Sequence, residues 1–286
     1  MKLRLLLASL AMLVVLASAW MVARAADTKG ADPPGAFFMF TTSRFANAGE
    51  RKAIVDALRR YVTGQDYLGS RLGHEVPELG GRVGRAHLYA LPPNLESLER
   101  QSAGRCGSGT PGLIVYDGEH WQETPADEQE DMPRAIARGK GMVRATGCHD
   151  YGVAPDGEFI GIVPKTCSYE LGDALHRRVD WDDISLFNIQ AQRLLSDECD
   201  PRAGLKAYVT FVTEIARDVR AKSPRTKVSA QLSFRYTPPD RMVAAIRRLR
   251  GVVDGFYIAY PSNVGPRCAY CSPHNLEEVL EAIRAT

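Results

Sequence analysis

Short apolar runs and helix-period stretches alternate along this chain from residue 36 onward. Residues 36–42 (AFFMFTT), 85–91, 112–117, 150–155, 183–192, 227–234 and 253–260 are brief and apolar, the length of buried strands. Between them, residues 47–63 repeat Ile54, Val55, Leu58 and Tyr61–Val62 at helical spacing. Further helices are predicted over 93–102, 125–145, 168–178, 202–221, 238–250 and 275–285. Two of them begin with the same signal, a Thr before Pro: Thr124-Pro125 and Thr237-Pro238. Residues 159–164 (FIGIVP) also read as a strand, but a parallel neighbour needs a crossover of a dozen or more residues and none fits, so they belong to an elaborated loop.

Strands alternating with helices predict a parallel sheet wrapped in helices. The number of strand–helix units exceeds what an open doubly wound sheet usually holds. The expected fold is therefore α/β, a (β/α) TIM-like barrel of seven or eight parallel strands, over residues 36–286 as a single domain. An eighth strand either hides in the glycine-rich residues 65–82 or is absent, leaving the barrel incomplete.

The first 25 residues change where the protein is expected to work. Lys2 and Arg4 precede an apolar run over 5–21, and Ala23-Arg24-Ala25 is a cleavage signal. A signal peptide over 1–25 and a flexible lead-in over 26–35 are expected, with a secreted or cell-envelope destination; an uncleaved N-terminal membrane anchor is the alternative, because the run approaches spanning length. The net charge of +2 includes Lys2, Arg4 and Arg24, so cleavage leaves 33 basic against 34 acidic residues and a net charge of −1. No basic excess points to nucleic acid, and no membrane contact is expected once the signal is gone. A monomer is expected.

Six cysteines, all beyond the signal, suit disulfides in an exported chain. On the barrel reading, Cys106 and Cys148 both precede strands on adjacent bottom loops, and Cys167 and Cys199 both follow strands on adjacent top loops. Cys268 and Cys271 remain as a C-x-x-C, read as structural, with redox chemistry or a zinc site near His274 as alternatives.

Candidate chemistry collects where the strands end. Leu113–Tyr116 runs without a turn into Asp117, Gly118, Glu119, His120 and Trp121. If the strand continued, Asp117 and Glu119 would share a face about 6.6 Å apart at Cα. Paired carboxylates split their pKa values, so one can donate a proton to a leaving oxygen. Glu119 is the expected acid and Asp117 its partner, with helix capping or an arginine pair as the structural alternative. Asp156 follows the fourth strand; Asn188, Gln190 and Gln192 share a parity on the fifth; Gln231 lies on the sixth; Tyr257 and Tyr260 lie on the seventh. Amides with His120, Trp121 and tyrosines suit a carbohydrate, whose hydroxyls bind amides and whose apolar face stacks on rings. No phosphate-binding loop and no H-E-x-x-H motif occur, so neither a cofactor nor a resident metal is expected, although Asp117, Glu119, His120 and Asp156 could together ligate one. Trp181 and residues 247–250 read as packing and a solvated face.

Two resemblances bear on this. Tyr116-Asp-Gly-Glu119 resembles the end of the D-x-D-x-E strand motif of chitinase-like glycoside hydrolases, and Val253-Asp-Gly-Phe-Tyr-Ile-Ala-Tyr260 resembles a later strand of those barrels. The resemblance implies Glu119 as proton donor and Asp117 as its partner. Val115 stands where the motif has its first Asp, and Pro261 where an acid follows the aromatic residue. From Gly112 onward the chain also resembles uncharacterised secreted bacterial TIM-barrel proteins, through Tyr116–Trp121, the TPADEQ start at Thr124, the APD turn at Ala154, the glutamine-rich fifth strand and the Val253-Asp254-Gly255 opening. That second resemblance implies the fold and export, with no activity to carry over. The resulting expectation is a glycoside hydrolase-like barrel with Trp121 and Tyr260 as the sugar platform. The alternative is a non-catalytic barrel that binds carbohydrate or protein.

Overall fold

A strand in a closed parallel barrel faces a filled lumen on one side and helices on the other, so both parities are apolar. The computed structural model, which describes residues 36–42, 48–70, 86–103, 112–261 and 268–285, has this arrangement. Its strands are β1 (Phe37–Thr42), β2 (Tyr67–Ser70), β3 (His87–Ala90), β4 (Leu113–Tyr116), β5 (Asp150–Val153), β6 (Leu186–Ile189), β7 (Lys227–Ser233) and β8 (Gly255–Tyr260). They close in chain order, each parallel to the next, and β8 returns to pair with β1. The eighth strand is β2, inside the glycine-rich stretch, so the barrel is complete. The signal peptide and lead-in lie outside the described residues.

Phe38, Phe40, Tyr116, Phe187, Val228 and Ile258 pack outward against helices. The opposite parity fills the lumen with Phe37, Met39, Tyr89, Leu113, Val115, Leu186 and Tyr257. Rings this large fit because small residues face them. A Cβ on Gly69 would stand 2.5 Å from the Tyr89 ring, and one on Gly255 would stand 2.6 Å from the Phe37 ring.

The surrounding helices are α1 (Ala48–Tyr61), α2 (Leu95–Ser102), α3 (Ala126–Glu130), α4 (Met132–Thr146), α5 (Leu175–Arg178), α6 (Pro201–Lys222), α7 (Pro239–Leu249) and α8 (Pro273–Arg284). No described helix is long and apolar enough to cross a membrane. Trp181 is buried in the core, as its packing role requires.

Several sequence expectations change here. The helix expected over 125–145 breaks at Asp131 because Pro133 has no N–H and its ring excludes the carbonyl four residues earlier. Asp131 then caps α4, accepting from the Arg134 N–H at 3.3 Å. Neither Thr-Pro start caps as expected: Thr124 serves the preceding loop, and Pro238 occupies the N-cap position of α7 without a side-chain cap. Residues 159–164, by contrast, lie in the elaborated loop after β5 as expected, forming turns with a single antiparallel bridge, Ile162 to Tyr169. The helix expected over 168–178 shrinks to α5.

The base of the barrel is held by charge. Asp66, fully buried before β2, accepts from the Phe38 N–H (2.8 Å), from the Thr63 N–H (2.6 Å) and hydroxyl (2.9 Å), and from the Arg284 guanidinium. Arg284, at the end of α8, also donates to the carbonyls of Tyr61 (2.7 Å) and Ala36 (2.9 Å) and lies over the Phe38 ring. Asp254 secures the neighbouring seam: its carboxylate accepts from the Val228 N–H at 2.7 Å and pairs with Arg220 at 3.0 Å.

Candidate functional site

The C-terminal strand ends surround a cavity of about 300 Å³. In a barrel of this kind ligands bind at that face, because the loops after the strands converge there. Asp117, Glu119, Trp121, Asp156, Gln190, Gln192, Gln231, Tyr257 and Tyr260 all line it.

Asp117 and Glu119 lie just past β4, where pairing continues irregularly. The Asp117 N–H donates to the Pro92 carbonyl, and the Asp156 N–H donates to the Gly118 carbonyl, both at 2.9 Å. This places Asp117 and Glu119 toward the lumen on either side of Gly118. Gln190, at the end of β6, joins them. Its Nε2 donates to the Ala154 carbonyl at 2.6 Å and to Asp117 Oδ1 at 3.0 Å, and lies 3.4 Å from Glu119 Oε1. All three neighbours are acceptors only, which fixes the nitrogen end of the amide toward them. The two carboxylates therefore stand within the reach of one amide nitrogen. Asp117 is 4% exposed and Glu119 half-buried.

The loop carrying them is tied from behind. Thr124 Oγ1 accepts from the Glu119 N–H (3.1 Å) and from Trp121 Nε1 (2.8 Å), and its hydroxyl donates to the Pro93 carbonyl. Gln129 Nε2 donates to the carbonyls of Trp121 and Thr124. Below, Tyr116 donates to the buried Glu128, whose carboxylate also accepts from the first N–H of α2. Burial, with Glu128 second, pushes the Tyr116 phenol far above its ordinary range, so it remains a donor.

Under the cavity the buried amides satisfy one another. Asn188 Nδ2 donates to Gln231 Oε1 at 2.7 Å, and Asn188 Oδ1 accepts from the Ser229 hydroxyl at 3.0 Å. Thr41 and Tyr89 hydrogen bond beside them, and burial, then Tyr257, holds the Tyr89 phenol well above its ordinary range. Asn188 thus supports the floor; it does not line the cavity. Gln192 is placed by a 3-10 turn (Gln192–Leu195) after β6, not by strand parity.

His120 and Tyr260 correct the sequence reading. His120 stacks on Phe159 at 3.9 Å, with Nδ1 3.7 Å from Glu158, and lies outside the cavity lining. Tyr260 belongs to the outward parity of β8; it is 1% exposed, packed by Phe40 and Phe234, and donates to Glu50 at 3.1 Å. Its ring has no open face for a sugar. The lining aromatics that are partly exposed are Trp121 and Tyr236. Tyr236, Arg193 and Arg235 escaped the sequence reading because single polar residues after a strand carry no pattern. Among the described residues no group of three or more His, Cys, Asp and Glu side chains could hold a metal ion.

Every described cysteine is disulfide-bonded. Cys167 joins Cys199, and Cys268 joins Cys271 just before α8. Cys148 is also disulfide-bonded; Cys106, its expected partner, lies outside the described residues. Closing the 32-residue span between Cys167 and Cys199 restricts the unfolded chain. Replacing both by serine is expected to lower the unfolding free energy by about 2–4 kcal/mol, read as a lower denaturant midpoint at constant slope. An unchanged midpoint would contradict this.

No family model matches the chain, and no curated protein matches it in sequence. Solved structures match its fold. A protein described as a deoxyribose-phosphate aldolase of Toxoplasma gondii is 12% identical, with 88% of this chain and 94% of that one covered and a TM-score of 0.50. A native KDPGal structure is also 12% identical, covering 86% and 94%, with a TM-score of 0.45. A protein described as a lactate oxidase of Pediococcus acidilactici is 9% identical, covering 90% and 74%, with a TM-score of 0.45. The likeness at a TM-score of 0.50 agrees with the closed eight-stranded topology: this chain is a TIM barrel. The resemblance to chitinase-like hydrolases gains nothing from these structures.

Proposed function

We propose that this protein is an exported barrel that acts on a carbohydrate, with Glu119 as general acid and Asp117 as the carboxylate beside it. The observation that supports the reading most is the Gln190 amide, which holds Asp117 at 3.0 Å and approaches Glu119 at 3.4 Å within the top cavity. Glu119, the more exposed of the two, is the one positioned to meet a leaving oxygen. Trp121, partly exposed, offers its indole, and Gln192 and Gln231 offer amides for hydroxyls. The disulfides suit export, where thiols oxidise.

A non-catalytic carbohydrate- or protein-binding barrel is the second reading. It is favoured by the enclosure of Asp117 and by Asp156, whose carboxylate accepts from the Glu158 N–H at 3.1 Å and so also shapes its own turn.

The test is hydrolysis and binding across a panel of glycans by the purified protein and by Glu119→Gln. General acids contribute roughly 10²–10⁴-fold to rate, so turnover in the variant should fall at least about a hundredfold while binding persists. Binding by both without turnover assigns the second reading. No binding to any glycan removes both sugar readings.

A further inference from the structure

Around the mouth of the cavity the charge changes sign. Asp117 and Glu119 follow β4 and Asp156 follows β5, whereas Arg193 follows β6 and Arg235 follows β7. These four strands are consecutive in the barrel, so the acids share one wall and the guanidiniums the next. Opposite charges that line one cavity would ordinarily pair; here neither arginine has an ion-pair partner among the described residues. Asp197, near in sequence, is engaged by the Tyr270 hydroxyl at 2.8 Å. Arg235 lies over the Tyr236 ring at 4.9 Å, a contact that orients the guanidinium plane before any ligand arrives. Gln192 lines the cavity next to Arg193, and its buried Oε1 has no hydrogen-bond partner among the described residues.

We infer that the occupant of this cavity is an anionic carbohydrate, carrying a carboxylate or sulfate group that Arg193 and Arg235 bind while the acidic wall meets its hydroxyls. A planar guanidinium matches either group with two parallel N–H donors. A wholly neutral sugar would use the acids, amides and rings but leave the two cations on the adjoining wall with only water. The acidic wall also repels an anion, which fixes which end of the ligand lies against which strands. This inference rests on the carbohydrate reading above and narrows it.

The test is calorimetric titration of the purified protein with oligogalacturonate and oligoalginate, each beside its methyl ester, and with a sulfated galactan oligosaccharide beside its desulfated form. Arg193→Gln and Arg235→Gln are titrated in parallel. Both side chains are exposed, so the variants should fold, and matching thermal transitions would check that. At least one acidic form should bind about tenfold more tightly than its neutral counterpart. Each substitution should remove most of that preference, leave the neutral form within twofold, and flatten the dependence on salt. A preference confined to uronates or to the sulfated ligand identifies the group. Equal binding of charged and neutral forms, or a preference that survives both substitutions, overturns the inference and leaves the carbohydrate reading standing. Failure to bind any of these ligands or any neutral glycan overturns both.

Discussion

Asp66→Ala lowers the unfolding free energy by about 3–5 kcal/mol, the range for removing one partner of a buried ion pair. The carboxylate is fully buried and accepts from four donors: two backbone N–H groups, a hydroxyl and the Arg284 guanidinium. Removing it leaves those donors facing a cavity, with the guanidinium the most costly to strand. Asp66→Asn should fare little better, because its amide nitrogen would meet donors where an oxygen accepted before. The pair also joins distant parts of the chain, since Arg284 ends α8 while Asp66 precedes β2 and holds β1 through the Phe38 N–H. Urea unfolding of Asp66→Ala, Arg284→Met and the double variant measures this. The double variant should cost less than the sum of the singles by about 1–3 kcal/mol, the coupling of groups in direct contact. A cost below about 1 kcal/mol for Asp66→Ala would show that water replaces the carboxylate and that the clasp is ornamental.

The barrel was legible because apolar runs and helix-period stretches alternate, and that pattern depends on little beyond burial. β2 was not, for a physical reason. Tyr67–Ser70 has four residues, includes a glycine and borders a glycine-rich stretch, so neither periodicity nor β-propensity marks it. Gly69 is there because Tyr89 on the adjacent strand fills the space a side chain would take, a demand visible only once the strands are side by side. The site was legible in part for a similar reason. Strand parity placed Asn188 and Gln190 inward, and their own hydrogen bonds then show that one supports the floor and the other joins the carboxylates. Parity sets Tyr257 and Tyr260 on opposite faces of their strand but could not tell which face is the lumen, because both are buried and aromatic residues suit either. Arg193 and Arg235 were invisible, since an isolated arginine just past a strand has no sequence signal until topology sets it beside an acid wall. The Asp-Gly of Val253-Asp254-Gly255, read as a resemblance, has a local explanation: Asp254 caps the edge of β7, and Gly255 makes room for Phe37.

That explanation carries the other large effect. Gly255→Ala should destabilise the protein by about 3 kcal/mol, at the upper end of overpacking costs. A Cβ at this position would stand 2.5 Å from the Phe37 carbonyl oxygen and 2.6 Å from two atoms of its ring. The ring could turn away, but the carbonyl is part of β1, paired in register with Gly255, and cannot move without parting the seam. Phe37→Leu in the same protein should therefore recover only part of the loss, whereas full recovery would assign the whole effect to the ring. Gly141→Ala is the counterpart: Gly141 lies on an exposed face of α4 with nothing within 4 Å of a Cβ, and should gain about 1 kcal/mol because alanine favours helix. The seam also bears on the site. β8 places Tyr257 in the cavity and pairs Gln231 with it across β7, so a displaced β8 shifts both. Gly255→Ala should thus weaken ligand binding together with stability, while Gly141→Ala raises the unfolding midpoint and leaves binding unchanged. If Gly255→Ala lost stability but bound ligand normally, the strain would be confined to the barrel base and the two ends of β8 would be mechanically independent.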